Sequence, residues 1–189
     1  MRVRHSRRWA TCLVVTVAAG IPTGCGGAAQ PSGEPVPGAP AAAEARPDAA
    51  AEEAAGKAAL AAYSGYLAAS GTASRRGDPR HPELARYAAD PLLTRVRLAI
   101  REAKEHGAMR TGKLVSDPTV TSVDLASTPP TVEIQDCLDA TGWRLVYAKD
   151  HRPVPGARGG RWLATATATR YPDGRWLIST SASHQDQPC

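Results

Sequence analysis

An α+β domain, with two or three helices ahead of a curved, mostly antiparallel sheet of about five to six strands, is the fold class this sequence predicts. Apolar residues recur at helical spacings of three and four before Gly107, and after Gly112 the period switches to alternation with β-branched residues dominant. The second half is also punctuated by Asp117-Pro118, Thr128-Pro129-Pro130, Asp139-Ala140-Thr141-Gly142 and Tyr171-Pro172-Asp173-Gly174, turn sequences that leave room for strands. Helices that precede a run of strands are expected to pack together on one face of the sheet.

Order is expected to begin near Ala49. The chain is alanine-rich from there to Ser70, a strong helix former, and Leu60, Tyr63 and Leu67, joined by Ala59 and Tyr66, mark one face. Gly56 and Gly65 weaken that helix only locally. A loop is predicted over 71–80, then a short helical turn opened by Pro82 with Leu84 and Tyr87 as its apolar points. Asp90-Pro91 is a clearer start signal, because the carboxylate accepts from the first free backbone N–H groups and proline fits the first turn. The helix beyond it is expected to bury Leu92, Leu93, Val96, Ala99, Ile100 and Ala103 and to stop near His106-Gly107, where glycine adopts the left-handed cap. Strands are predicted over 113–117, 119–126, 131–138, 143–149, 161–170 and 175–183, the last two joined as a hairpin through Pro172-Asp173-Gly174. Pro155 to Gly160 reads as a longer hairpin loop, with no strand-to-helix context to make it a phosphate cradle.

Ahead of the domain, residues 1–24 have the layout of an export signal, with Arg2, Arg4, Arg7 and Arg8 followed by an apolar run around Leu13-Val14-Val15. The uncharged run from Trp9 to Ile21 is shorter than the roughly 20 residues a membrane-spanning helix needs. Thr23-Gly24-Cys25 resembles the bacterial lipobox, with Pro22 standing where leucine is usual. That resemblance implies lipidation of Cys25, palmitate being one such acyl group, and anchoring at the extracellular face of the cell membrane; plain secretion is the alternative. Ser6-Arg7-Arg8 partly resembles a twin-arginine signal, although Ala10 and Thr11 depart from it. Residues 25–48 are mostly Gly, Ala and Pro and read as a disordered tether, which would span on the order of 25–30 Å. The domain itself is read as 49–189.

Removing the signal changes the meaning of the charge. The whole chain has 23 basic and 18 acidic residues, but four of the arginines lie in residues 1–24, so the remainder is close to neutral. No nucleic-acid partner is expected, since phosphate binding depends on clustered cations in the folded domain. Basic residues from Arg75 to Arg110 alternate with Asp78, Glu83, Asp90, Glu102 and Glu105 and read as a solvated helical face. Of four cysteines, Cys12 falls in the signal and Cys25 would carry lipid, which leaves Cys137 and Cys189 as a candidate disulfide outside the cell. Two lone thiols are too few for a structural zinc site, and no Cys-x-x-Cys or His-x-x-x-His spacing occurs, so neither metal nor cofactor is expected.

Several segments carry a family resemblance: Ala62-Tyr63-Ser64-Gly65-Tyr66, the stretch from His81 to Ala88, Val120-Thr121-Ser122-Val123, Asp136-Cys137, Arg144-Leu145-Val146-Tyr147 and the terminal Cys189. Over about 49–189 the chain resembles the cone-shaped NTF2-like fold, as found in small secreted or lipid-anchored actinobacterial proteins. The resemblance implies that Asp136-Cys137 and the C-terminal cysteine mark the two ends of a disulfide, in agreement with the cysteine count. It also implies a pocket between helices and sheet, which in that fold serves isomerases, dehydratases, hydrolases and cyclases as well as pure binding domains.

Alternation around Cys137 places Asp136 on the apolar side with Val132, Ile134 and Leu138, while Glu133 and Gln135 share the other side with Cys137. Of the strand carboxylates available as an acid or base, Asp136, Glu133 and Asp124, Asp136 is thus the one placed on the apolar side, with Tyr63 or Tyr66 as hydrogen-bond donors. An aspartate satisfied by backbone or arginine is the alternative. His81, His106, His151 and His184 show no spacing to a nucleophile or to a second histidine. Trp143, Tyr147 and Trp176 are candidates for a pocket mouth. Two functions stay open: a noncatalytic tethered domain that binds a small molecule, cell-wall component or partner protein, and an exported enzyme centred on Asp136. A homodimer formed through the sheet is compatible with either.

Overall fold

The computed structural model describes residues 47–157 and 159–189; the predicted signal, Cys25 and the tether as far as residue 46 lie outside them. The described chain is α+β, with three helices packed on an antiparallel four-stranded sheet and an antiparallel two-stranded sheet. The helices are α1 (Pro47–Arg76), α2 (Leu84–Tyr87) and α3 (Leu92–Glu105). The strands are β1 (Ala108–Thr111), β2 (Pro118–Asp124), β3 (Thr131–Asp139), β4 (Arg144–Tyr147), β5 (Arg161–Arg170) and β6 (Trp176–His184). The larger sheet runs β2-β3-β5-β6, and β1 pairs with β4 in the smaller one.

Helix α1 has 30 residues and so extends about 45 Å. Of the predicted face, Ala59 and Tyr63 are fully buried and are joined in the deepest stripe by Ala55, Ala62, Ala69 and Ala73, whereas Leu60, Tyr66 and Leu67 are half-buried at its flanks. Small side chains let the helix axis lie close to the sheet: a Cβ on Gly56 would sit 3.5 Å from Val120 Cγ2. The helix also runs through 71–76, predicted as loop, because Gly71 and Ala73 are buried there and burial outweighs weak propensity. Gly77, at φ 58°, ends it. Gly65 has a packing role beyond its local cost, since the Tyr87 ring occupies the space its Cβ would need.

Asp90 starts α3 as expected, its Oδ1 accepting the Thr94 backbone N–H at 3.1 Å, and Gly107 at φ 66° follows its end. Leu92, Leu93 and Ile100 are buried and Val96 and Ala103 half-buried, whereas Ala99 is exposed, contrary to the predicted face.

Two strand predictions need correction. Residues 108–111 form β1, which its low β-propensity concealed, and 113–117 do not form a strand although they lie along one. Val115 bridges Asp139 and Pro118 stands opposite Asp136, in the register that β2 keeps along β3 as far as Val120. Between them the ladder is interrupted, because the Asp117 N–H donates to the Asp136 side chain and Pro118 has no N–H to give. The β5–β6 hairpin forms as predicted: Asp173 Oδ1 accepts from the Arg175 N–H at 3.0 Å and Gly174 takes φ 84°.

The helix-facing side of the larger sheet supplies Val132, Ile134, Ala164, Ala166, Ala168 and Ile178, all nearly inaccessible to solvent. Asp136 falls in the same row.

Candidate functional site

Strand periodicity turns Asp136 inward as predicted, leaving it 1 % exposed among apolar neighbours. A buried carboxyl group is costly unless its oxygens are hydrogen-bonded. Here Oδ2 accepts from Tyr63 Oη at 3.0 Å and from Ser116 Oγ at 2.7 Å, while Oδ1 accepts from the Asp117 N–H at 2.8 Å. Tyr63 comes from α1, and the other two donors come from the segment between β1 and β2. Burial together with the Asp136 charge pushes the Tyr63 hydroxyl well above its ordinary pKa, so it stays protonated and donates.

The two elements that Asp136 joins are also the two walls of a cleft of about 910 Å³. Helix α1 contributes Leu67, Gly71 and Arg75, the segment after β1 contributes Lys113, Val115 and Ser116, and Trp143 completes the lining from the turn before β4. Asp136 and Tyr63 are behind the wall, and only Ser116 connects them to the lining. The cleft's outer strand-like wall is held at Val115, whose N–H and C=O pair with the Asp139 backbone at 3.0 and 2.8 Å. Trp143 is placed by the turn after β3: Asp139 Oδ1 accepts the Thr141 N–H at 2.8 Å, and the Trp143 N–H donates to Ala140 O at 3.0 Å.

Glycine makes this geometry available at two points. Gly112 has φ 83° and lies so close to Gly142 that any Cβ would occupy the space of the Gly142 carbonyl oxygen. On α1, a Cβ at Gly71 would meet Arg75 Nη1 at 3.2 Å and Trp143 Cη2 at 3.8 Å, so the bare helix backbone there is where guanidinium and indole converge.

Of the predicted site residues, Tyr63 and Asp136 meet directly, and Trp143 lines the cleft. Tyr66 lies 6.4 Å from Tyr63 between ring centroids but belongs to the core margin, where burial raises its pKa. Tyr147 pairs with Ala108 in the small sheet, and Trp176 packs against the core; neither lines the cleft. Glu133 is exposed and accepts from Thr167 Oγ1 at 3.1 Å, and Asp124 caps the turn after β2 through the Ala126 and Ser127 N–H groups. Sequence reading missed Gly71, Lys113 and Arg75, the last having been assigned to a solvated face. The available signal was Gly71 one helical turn before Arg75, at i and i+4 on one face.

Cys137 and Cys189 form a disulfide with Cα atoms 5.8 Å apart, as the cysteine count suggested. It lies on the opposite side of β3 from Asp136 and ties the C-terminus to the strand that carries that carboxyl group. No group of three metal-capable side chains occurs among the described residues, and no helix there is long and apolar enough to cross a membrane. No protein-family model and no curated protein matches the chain.

Proposed function

We propose that the chain is an exported, membrane-tethered domain, NTF2-like in architecture, that binds a small molecule in the cleft between α1 and the segment 112–118 without transforming it. The observation that carries this reading is the cleft itself. Its volume of about 910 Å³ falls within the roughly 300–1,000 Å³ of small-molecule sites, and both of its walls are fastened to one buried side chain. The disulfide is consistent with an extracellular protein, and the lipobox-like sequence at Cys25 supplies the tether.

Against the enzyme alternative stands the occupation of Asp136. A general base needs a free acceptor within about 2.6–3.2 Å of the proton it removes. Asp136 gives three of its roughly four acceptor directions to internal donors and lies outside the cleft lining.

The test is a thermal-shift screen of small molecules on wild type and on Ala68→Trp, which places an indole on the α1 wall. Compounds that raise the Tm of wild type are expected to lose that effect in the variant; stabilisation that persists undiminished would place binding elsewhere. For the tether, Cys25→Ser is expected to release the protein from the membrane fraction, and unchanged association would remove the lipid anchor from the proposal.

A further inference from the structure

We propose, on the basis of the cleft reading above, that the ligand is a small amphipathic anion: an apolar body lying on Leu67, Val115 and Trp143, and a carboxylate or phosphate group held between Arg75 and Lys113. Charge complementarity carries the choice. Among the described residues that line the cleft, two are cationic and none is acidic. Of the carboxyl groups nearby, Asp136 is sealed behind Ser116 and has its own donors, and Asp117, between Ser116 and Pro118, is exposed and outside the lining.

Arg75 has a bland explanation, since a cation in the last turn of a helix complements the macrodipole. That account requires only a charge near the helix end. Leaning back along α1 as helical side chains do, Arg75 donates through Nη2 to Thr72 Oγ1 at 3.1 Å and holds Nη1 over Gly71, the residue that Trp143 Cη2 also approaches. Val115 supplies the apolar half: it is 64 % exposed, an unusual position for a large aliphatic side chain whose backbone N–H and C=O are both hydrogen-bonded to Asp139. An aliphatic or aromatic body covering it would remove that surface from water at roughly 25 cal/mol per Å².

The experiment uses the full chain carrying Cys25→Ser, so that no attached lipid competes, titrated with decanoate, decyl phosphate and decanol while the backbone amide resonances of Gly71 and Gly112 are followed. Decanoate or decyl phosphate is expected to give saturable shifts at both glycines, with decanol at least about threefold weaker; which anion binds tighter separates a fatty-acid-like source from a phosphate-ester one. Arg75→Gln and Lys113→Gln are each expected to weaken the anion about threefold to tenfold, as is raising the salt concentration, with decanol unaffected. Equal binding of decanol and both anions, indifferent to Arg75→Gln and Lys113→Gln, would overturn the anion assignment and leave the cleft as a binding site. Absence of saturable shifts at either glycine with all three probes would overturn the anion assignment too, and the Ala68→Trp screen then decides separately whether the cleft binds anything.

Discussion

Tyr63 and Asp136, 73 residues apart in sequence, are joined by a buried hydrogen bond of 3.0 Å that links the long helix to the third strand. With Ser116 and Asp117 on the other side of the same carboxyl group, it makes one side chain the common fastening of both cleft walls. Asp136 is therefore a positioning residue for the site rather than part of its lining.

Removing the carboxyl group leaves three donors without their acceptor, two of them on the segment that forms the outer wall. Hydrogen bonds to charged groups are worth about 1.5–3 kcal/mol, and orphaned buried donors add a desolvation cost. Asp136→Ala is expected to destabilise by about 3–5 kcal/mol and Tyr63→Phe by about 1.5–3 kcal/mol. In urea unfolding, the double variant is expected to fall short of the sum of the single effects by about 1–3 kcal/mol. Strict additivity would mean that the two side chains do not act on each other.

Alkaline pH provides a second handle on the same pair. Burial and the Asp136 charge raise the Tyr63 pKa, and burial raises that of Tyr66, so between pH 10 and their folded values both stay protonated in the native state while their unfolded counterparts ionise. The unfolded state then binds fewer protons, and stability falls as pH rises. The contribution is complete below pH 10 and is lost above it, at up to about 1.4 kcal/mol per pH unit for each tyrosine. Unfolding free energies between pH 9 and 11 are expected to show this slope, reduced in Tyr63→Phe. An unchanged slope in that variant would show that Tyr63 titrates normally.

The Cys137–Cys189 bridge closes a span of 52 residues, for which loop-closure entropy gives about 4 kcal/mol. Cys189→Ser is expected to lower stability by about 2–4 kcal/mol. Because the bridge lies on the face of β3 away from the cleft, the Gly71 and Gly112 amide shifts are expected to stay where they are in the folded variant. Large movement of those resonances would show that the tail helps to shape the site. Nonreducing peptide mapping of wild type gives the prior check, two free thiols being the outcome that removes the bridge.

Period and punctuation made most of the fold legible. Strand alternation placed Asp136 inward correctly, the Tyr171-Pro172-Asp173-Gly174 turn placed the hairpin, and Asp90-Pro91 placed the start of the third helix. What was hidden depends on tertiary contact. The stretch 71–76 reads as loop until Gly71 and Ala73 are buried, and 113–117 reads as strand until Asp136 takes the Asp117 N–H. The cleft was hidden for the same reason. Arg75, Lys113 and Trp143 are far apart in sequence, and nothing local in any of them says that Gly71 and Gly112 bring their backbones together.

Those glycines give a comparison in which space and conformation can be separated. Gly107 and Gly112 both have positive φ, 66° and 83°, but a Cβ at Gly107 meets nothing within 4 Å, whereas at Gly112 it would overlap the Gly142 carbonyl oxygen. Gly107→Ala thus carries only the left-handed backbone penalty, about 1–2 kcal/mol. Gly112→Ala carries that penalty plus displacement of the Gly142 backbone, which is rigid where a flexible side chain would yield. Its cost is expected to exceed that of Gly107→Ala by at least about 2 kcal/mol in urea unfolding. The displacement also moves the turn that places Trp143, so anion or decanol binding is expected to weaken in Gly112→Ala and to persist in Gly107→Ala. Equal stability and equal binding in the two variants would mean that the Gly112–Gly142 approach does not hold the cleft in shape.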